Sequence, residues 1–281
     1  MERRIPDTAT VESAVALALR APSARNAQPW CWRIGYSTLH LFADEDRPLP
    51  APGERDVLLG CGAALHHVRV AFAALGWSAE VQRLPDPDDP AHLAVVTPRP
   101  AGRPREETTA LAAAIPRRRT DRRPPAVWPV PRAHLDALAR AATREGARLE
   151  VVTGSVRHGM DGRPGTLLTR PAALGTGGEV LVVATASDDR MALLRAGEAT
   201  SAVLLSATAL GLASCPLTAS RDTQEEFART TPAYPQALVR VGWAAPGSAP
   251  LPPTPRRRLG HVLEPLQAPP KYHHRLLREE A

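Results

Sequence analysis

The sequence predicts a mixed fold of helices and sheets, in the α+β class, built from two related halves with buried helices at its centre. Two observations predict it. A pattern of fifteen residues occurs twice, at 62–76 and 197–211, with six identical positions. Helical and strand-like segments also follow one another in a similar order before and after residue 105.

The repeated segments have the composition of central helices. Each is rich in small apolar residues on all sides, which is typical of a buried helix. Each ends at a glycine suited to a helix C-terminus, Gly76 in one and Gly211 in the other. Because Ala and Gly allow backbones to approach closely, we expect the two helices to pack together. The alternative is that two alanine-rich helices resemble each other by chance.

The remaining elements agree with a duplication. The first half has a helix at 9–20 and strands at 30–35 and 92–97, all recognised by their apolar spacing. The second half has helices at 106–116 and 132–143, and strands at 148–153, 179–185 and 236–242. We predict one repeat at 8–100, a second at 106–245, and a Pro/Arg-rich arm and tail at 246–281.

Loops and linkers are marked by glycine and proline. The glycine-rich stretch 154–178 is interpreted as a mobile loop, and the proline-rich stretch 97–104 as the link between the halves. Residues 246–258 are interpreted as an extended arm and residues 264–281 as a frayed tail.

Composition excludes several classes of protein. The chain has 281 residues and 43% hydrophobic content, which is ordinary for a globular protein. No apolar run reaches the roughly 18 residues of a membrane span, and the first seven residues lack the apolar core of a secretory signal. We therefore expect a cytoplasmic protein without a membrane partner. Three cysteines without a CxxC pair argue against a disulfide scaffold or a zinc ribbon.

Common catalytic signatures are missing from the sequence. It contains no Walker A lysine, no G-x-S-x-G elbow and no H-E-x-x-H motif. His66 and His67 lie on a buried helix and point in different directions, so a core role is favoured over metal binding. We predict no metal site, and no residue stands out as catalytic.

Three polar segments remain. Residues 21–30 form a proline-stiffened turn that carries Ser, Asn and Gln, which suit the edge of a heterocycle. Residues 117–123 are five arginines with Thr120 and Asp121, and residues 254–258 are again rich in arginine beside proline. An arginine cluster indicates a solvated basic face, a nucleic-acid patch or a phosphate clamp. The hydroxyl of Thr120 favours the clamp, and the scarcity of aromatic residues, 4%, argues against nucleic acid.

These segments resemble the motifs of the FMN-binding nitroreductase superfamily. Residues 118–122 are similar to the family's R-R-S-x-R-x-F motif, with Thr for Ser and Pro124 in place of the aromatic residue. Residues 22–30 are similar to its P-S-S-x-N-x-Q-P-W motif. Arg256 and Arg257 resemble its late K/R-x-R motif. Residues 209–217 resemble the segment that precedes the backbone amides facing flavin N5.

The resemblance implies which residues hold FMN. Four basic or hydroxyl side chains would bind the phosphate, Arg122 would lie near flavin N1 and O2, and one backbone segment would face N5. The implied FMN-binding residues are Pro22, Ser23, Asn26, Gln28, Arg118, Arg119, Thr120, Arg122, Thr218, Ala219, Arg256 and Arg257.

The order of the motifs implies a pseudo-dimer. Ordinary nitroreductases are homodimers in which the arginine motif of one subunit and the Pro-Ser-Asn motif of the other surround each FMN. Here the arginine motif lies only in the second half and the Pro-Ser-Asn motif only in the first. The chain is similar to the single-chain, two-repeat Acg-type nitroreductases over about residues 10–260. The resemblance therefore implies a nitroreductase-like monomer that keeps one flavin site.

The resemblance implies an oxidoreductase that passes hydride from NAD(P)H to a quinone, nitro or other conjugated acceptor by ping-pong exchange. The alternative is a protein that binds and sequesters FMN without turnover, as a covered flavin would require. Compared with Acg-type chains, the stretch 154–178 is several tens of residues short. Because that stretch includes a lid in the family, its shortening favours an open site and hence catalysis.

Overall fold

A computed structural model describes residues 5–44, 53–152, 177–217 and 233–266 of the chain. In this part the chain forms helices and two sheets. The helices are α1 (Thr8–Ala18), α2 (Glu54–Ala74), α3 (Glu106–Arg117), α4 (Arg132–Arg144) and α5 (Arg190–Ala209). The strands are β1 (Trp30–Ile34), β2 (Leu39–Ala43), β3 (Trp77–Arg83), β4 (His92–Pro100), β5 (Arg148–Val151), β6 (Glu179–Thr185), β7 (Ala213–Leu217), β8 (Tyr234–Gly242) and β9 (Leu263–Pro265).

Each sheet is formed by one part of the chain, with one exception. The first has the strand order β3-β4-β2-β1-β9, and the second has the order β5-β6-β8-β7. All pairs are antiparallel except β1 with β9, which is parallel. Strand β9 comes from the predicted tail, so the end of the chain returns to the first sheet. The expectation that residue 264 begins a frayed tail was wrong at residues 264–265.

Helices α2 and α5 cross at the centre of the molecule, as the repeated pattern predicted. A Cβ atom on Gly62 would lie 2.1 Å from the carbonyl oxygen of Leu194, and one on Gly197 would lie 2.3 Å from that of Leu59. Each glycine is the first residue of its copy of the pattern. The two backbones are therefore in direct contact, and neither crossing position has room for a side chain.

Both helices end where the sequence predicted. Gly76 and Gly211 follow α2 and α5 with φ angles of 84° and 79°, which glycine adopts without steric cost. Helix α5 begins after Asp189, whose side chain accepts a hydrogen bond from Ala192 N at 2.8 Å. The mixed α+β architecture with central buried helices is therefore confirmed, while the duplication and its boundaries stay a prediction.

A buried ion-pair network joins the elements around this crossing. Glu198 of α5 is fully buried and accepts from Arg83 of β3 at 2.7 and 2.9 Å and from Arg69 of α2 at 2.9 Å. Arg69 also contacts Glu145, at the end of α4, at 2.5 Å. Arginines of α2 and β3 are thus paired with glutamates of α5 and at the end of α4, so ion pairs join four elements.

Helix α2 is apolar and long enough, by composition alone, to cross a membrane. Its most apolar stretch is 72% buried within the protein, and both Gly62 and Leu65 lie in the core. The helix is therefore the central helix of the core and gives no evidence of a membrane span.

Candidate functional site

The chain turns sharply after α1, through the short 3-10 turn Ala24–Asn26. Arg25, Asn26 and Gln28 have φ angles of 50°, 58° and 50°, a left-handed conformation that L side chains rarely adopt. Such strain persists only where surrounding contacts hold it, and it concentrates at functional sites. Here the Ser23 hydroxyl accepts a hydrogen bond from Gln28 N at 2.8 Å. The predicted Ser-Asn turn is therefore stabilised by a hydrogen bond within itself.

The C-terminal arm crosses the molecule to this turn. Asn26 donates from Nδ2 to the carbonyl of Pro255 at 3.0 Å, and its Oδ1 accepts from the guanidinium of Arg256. Arg256 also donates to the carbonyl of Arg20 at 3.2 Å. Two segments that the sequence marked separately, 230 residues apart at Asn26 and Arg256, thus share one surface.

Arg257 has different surroundings from Arg256. Its guanidinium contacts Asp44 at 2.6 Å and donates to the carbonyl of Trp30 at 3.2 Å. Its backbone N–H donates to the side-chain oxygen of Gln28 at 2.8 Å. Arg257 therefore fastens the arm to the first sheet, and its role toward a phosphate stays a prediction.

The arginine motif follows the end of α3. Arg118 is 5% exposed and donates to the Thr120 hydroxyl at 3.4 Å, a weak contact. Arg119 donates to the carbonyls of Leu251 at 3.2 Å and Pro116 at 2.8 Å. In the described part of the chain, no carboxylate lies within ion-pair distance of Arg118, Arg119 or Arg256.

The charges of these guanidinium groups act on one another. Burial, followed by the charges of Arg256 and Arg119, lowers the pKa of Arg118 to about 10. Burial, followed by the charges of Arg20 and Arg119, lowers the pKa of Arg256 to about 10. With a pKa of about 10, Arg118 and Arg256 both remain cationic at neutral pH. Since uncompensated buried charge is costly, this arginine cluster (Arg20, Arg118, Arg119 and Arg256) has the electrostatics of an anion site.

Strand β7 borders the arginine motif. Thr120 pairs with Ser214 in an isolated parallel bridge, and Asp121 N donates to the carbonyl of Ser214 at 2.9 Å. Arg122 is exposed, and its charge acts on the thiol of Cys215, although burial dominates and raises the pKa of that thiol. The arginine motif therefore lies beside β7, the strand that directly precedes residues 218 and 219.

Comparison with known proteins identifies the family. No family model matches the chain. The chain is 40% identical to the Mycobacterium tuberculosis H37Rv protein named "Putative NAD(P)H nitroreductase Rv3131", covering 94% of each protein. It is 37% identical to "Putative NAD(P)H nitroreductase acg" of the same strain, covering 92% of this chain and 97% of the relative. The chain belongs to this nitroreductase family.

Among solved structures, one more distant similarity is the following. A nitroreductase with bound FMN from Bacteroides fragilis superposes with a TM-score of 0.42 at 15% identity, over 52% of this chain and 94% of the other.

The alignment with the 40% identical relative runs over 324 positions, more than the 281 residues of this chain. Within the aligned region, that relative therefore carries at least 43 residues that this chain lacks; the predicted shortening of the stretch 154–178 stays a prediction.

The structure brings together most of the predicted site residues that it describes. Asn26 contacts Arg256, and the charges of Arg118 and Arg119 act on the same cluster. Ser23 and Gln28 bond within the turn, and Pro22 is half-buried beside them. Thr218 and Ala219 lie outside the described residues, so their role stays a prediction.

Two residues near the arginine cluster escaped the sequence reasoning. The carbonyl of Arg20 accepts a hydrogen bond from Arg256, and the charge of Arg20 lowers the pKa of Arg256. The only sequence clue to this residue was its position at the end of α1. His67 was assigned to the core, and it is fully buried, but the charges of Arg118 and Arg256 also act on it.

A separate cavity of about 110 Å³, lined by Ile5, Ile34 and Tyr36, is smaller than the roughly 300–1,000 Å³ of a typical ligand pocket.

Proposed function

We propose that this nitroreductase is an FMN-dependent oxidoreductase that carries hydride from NAD(P)H to a quinone, nitro or other conjugated acceptor by ping-pong exchange. The observation that carries the proposal is the arginine cluster, in which the charges of the buried Arg118 and the half-buried Arg256 act on each other and neither has a carboxylate partner among the described residues. Guanidinium forks and a nearby hydroxyl, Thr120, suit a phosphate monoester such as that of FMN. The names of the relatives support NAD(P)H as the hydride donor.

The phosphate of FMN would lie among groups from both parts of the chain. Arg118, Arg119 and Thr120 come from the end of α3, and Arg256 comes from the arm that Asn26 holds. Each charged hydrogen bond contributes about 1.5–3 kcal/mol. Because the groups are held before the ligand arrives, little ordering cost remains on binding.

The ring would lie between the Ser-Asn turn and the end of β7. When bound, FMN supplies the two-electron chemistry, and the chain supplies position and charge. Pro22, Ser23 and Asn26 would form one wall, and the exposed guanidinium of Arg122 would stabilise negative charge at N1 and O2. The backbone amides of Thr218 and Ala219 would bind N5. A single such site per chain makes a monomer sufficient for activity.

An absorption spectrum tests this proposal. The purified protein, incubated with FMN and freed of excess, should hold flavin absorbance near 450 nm, on the order of one flavin per chain. Anaerobic NADPH or NADH should then bleach that absorbance, and a quinone should restore it. A protein that takes up no FMN would overturn the proposal.

The same spectrum separates catalysis from sequestration. A protein that only stores FMN would bind it but would not be bleached by either nicotinamide. If the residues that this chain lacks relative to a 40% identical protein fall in the stretch 154–178, the flavin is accessible and bleaching is expected. Arg99→Leu, at an exposed ion pair with Glu80, serves as a control that should bind and bleach as the wild type does.

A further inference from the structure

Ser214 of β7 is a buried serine whose hydroxyl is unused. The residue is 3% exposed, and its Oγ has no hydrogen-bond partner among the described residues. Its backbone is engaged, because its carbonyl accepts a hydrogen bond from Asp121 N at 2.9 Å. A buried hydroxyl without a partner costs free energy, so such an atom calls for an explanation in the structure.

The bridge between the arginine motif and β7 fixes where this hydroxyl lies. Thr120 and Ser214 are paired in the parallel bridge, and paired residues present their side chains on the same face, with Cβ atoms about 5 Å apart. The Thr120 hydroxyl on that face lies 3.4 Å from Arg118 Nη1. The side chain of Ser214 is therefore placed beside Thr120, on the side where the Arg118 guanidinium lies.

The neighbours of Ser214 within the second sheet give its hydroxyl no partner. On β8 it is paired with Val241, which is fully buried and apolar. Cys215 is paired with Arg240, and both point to the opposite face because side chains alternate along a strand. The hydroxyl thus lies between an apolar residue on one side and the arginine motif on the other.

The unused polar atoms at this place are donors. Arg118 Nε is a second buried atom without a partner in the described part of the chain, and a guanidinium can only donate. The Ser214 hydroxyl also has a proton to donate. The terminal oxygens of a phosphate monoester dianion are acceptors, so one such group would satisfy both atoms.

We propose that Ser214 is a further phosphate-binding residue of this nitroreductase, and that its hydroxyl donates to the same phosphate that Arg118 and Thr120 bind. The inference rests on the proposed function, since the phosphate is that of FMN. It adds a side chain of β7 that the sequence did not assign to the flavin.

Parallel titrations with FMN and riboflavin test the proposal, because the two flavins share a ring and differ in the phosphate. Ser214→Ala should weaken FMN binding about tenfold, the size expected for one hydrogen bond to a charged group, and leave riboflavin binding unchanged. Ser201→Ala is the matched control, since Ser201 is also a buried serine, with its hydroxyl 2.9 Å from His66 Nδ1. It should leave the ratio of the two flavin affinities unchanged.

Urea unfolding of the flavin-free proteins in phosphate-free buffer gives a second readout. Ser214→Ala should unfold at the same or a higher urea concentration than the wild type, because the change removes a hydroxyl that has no partner in the described structure. Ser201→Ala should unfold at a lower urea concentration, because it removes the partner of a buried histidine.

Other results would overturn the proposal. An unchanged FMN affinity in Ser214→Ala, an equal loss of both flavins, or a lower stability of the flavin-free variant would each contradict it while leaving the proposed function intact. Where riboflavin binds too weakly to titrate, the FMN affinity and the flavin-free stability decide together. A wild type that binds neither flavin would overturn the proposed function and this inference with it.

Discussion

At the scale of one residue, Arg118 carries an unpaired charge at the proposed phosphate site, which costs stability. Its guanidinium is 5% exposed and lies beside other cations. Arg240, the other buried arginine among the described residues, donates to the carbonyl of Asp121, and the less deeply buried Arg83 is paired with Glu198. The flavin-free protein therefore holds a charge that binding would neutralise.

Arg118→Leu should consequently have opposite effects on stability and binding. In phosphate-free buffer without flavin, we expect the free energy of unfolding to rise by about 1–3 kcal/mol, because a buried unpaired charge is replaced by an apolar side chain. FMN affinity should fall by roughly ten- to a hundredfold. Urea unfolding and flavin titration measure the two effects. Lower stability in the flavin-free variant would show that Arg118 has a partner in the protein.

His66 makes stability depend on pH. Burial, followed by the charge of Arg69, lowers its pKa to about 3. Glu145 lies 3.8 Å away, but its charge is already matched by Arg69 at 2.5 Å. Since the folded pKa lies below the unfolded value of 6.5, His66 has no effect above pH 6.5 and destabilises progressively as the pH falls toward 3.

Between pH 6.5 and pH 5, His66 should therefore cost about 2 kcal/mol, at about 1.4 kcal/mol per pH unit. Urea unfolding of the wild type and of His66→Leu at both pH values measures this cost. The variant should lose about 2 kcal/mol less than the wild type over the interval. Equal losses in the two proteins would mean that His66 takes up a proton in the folded state.

At the scale of elements, the crossing of α2 and α5 depends on two glycines. Gly197→Ala would place a methyl group 2.3 Å from the carbonyl oxygen of Leu59, so the helices must separate. We expect a loss of about 3 kcal/mol or more in the free energy of unfolding, at the upper end for overpacking. Gly53→Ala, at the start of α2 with no atom within 4 Å of the new methyl group, is the control and should change little. A stable Gly197→Ala would refute the close crossing.

The ion pairs between elements differ in what they contribute. Glu198→Gln leaves Arg83 without its buried counter-charge and should cost about 3 kcal/mol. Glu80→Gln, at the exposed pair with Arg99, should cost less than about 1 kcal/mol. Denaturant unfolding of both variants compares them. Similar small losses would mean that the network around Glu198 does not hold the elements together.

At the scale of the whole molecule, the sequence predicted what is local and repeated. The helix ends at Gly76 and Gly211 and the apolar strand at 179–185 all carry signals within a few residues, and the structure confirms them. The Ser-Asn turn and the arginine motif were also visible as motifs. That Arg256 would lie between the Ser-Asn turn and the arginine motif could be predicted only from the order of the motifs along the chain.

Three features that the sequence did not predict depend on tertiary contacts rather than on local signals. Strand β9 has three residues and exists because it pairs with β1, more than 200 residues earlier. Strand β7 contains Pro216, which is tolerated because β7 lies at a sheet edge. Arg257 resembled a phosphate ligand in sequence, and nothing local indicated that Asp44 would engage it.

We propose that one chain binds one flavin between groups from its two halves. Sedimentation velocity of the FMN-saturated protein, followed at the absorbance of flavin and of protein together, tests this most directly. We predict a single species with the mass of one chain that carries one FMN. Flavin that sediments only with a dimer, two flavins per chain, or no bound flavin would contradict it.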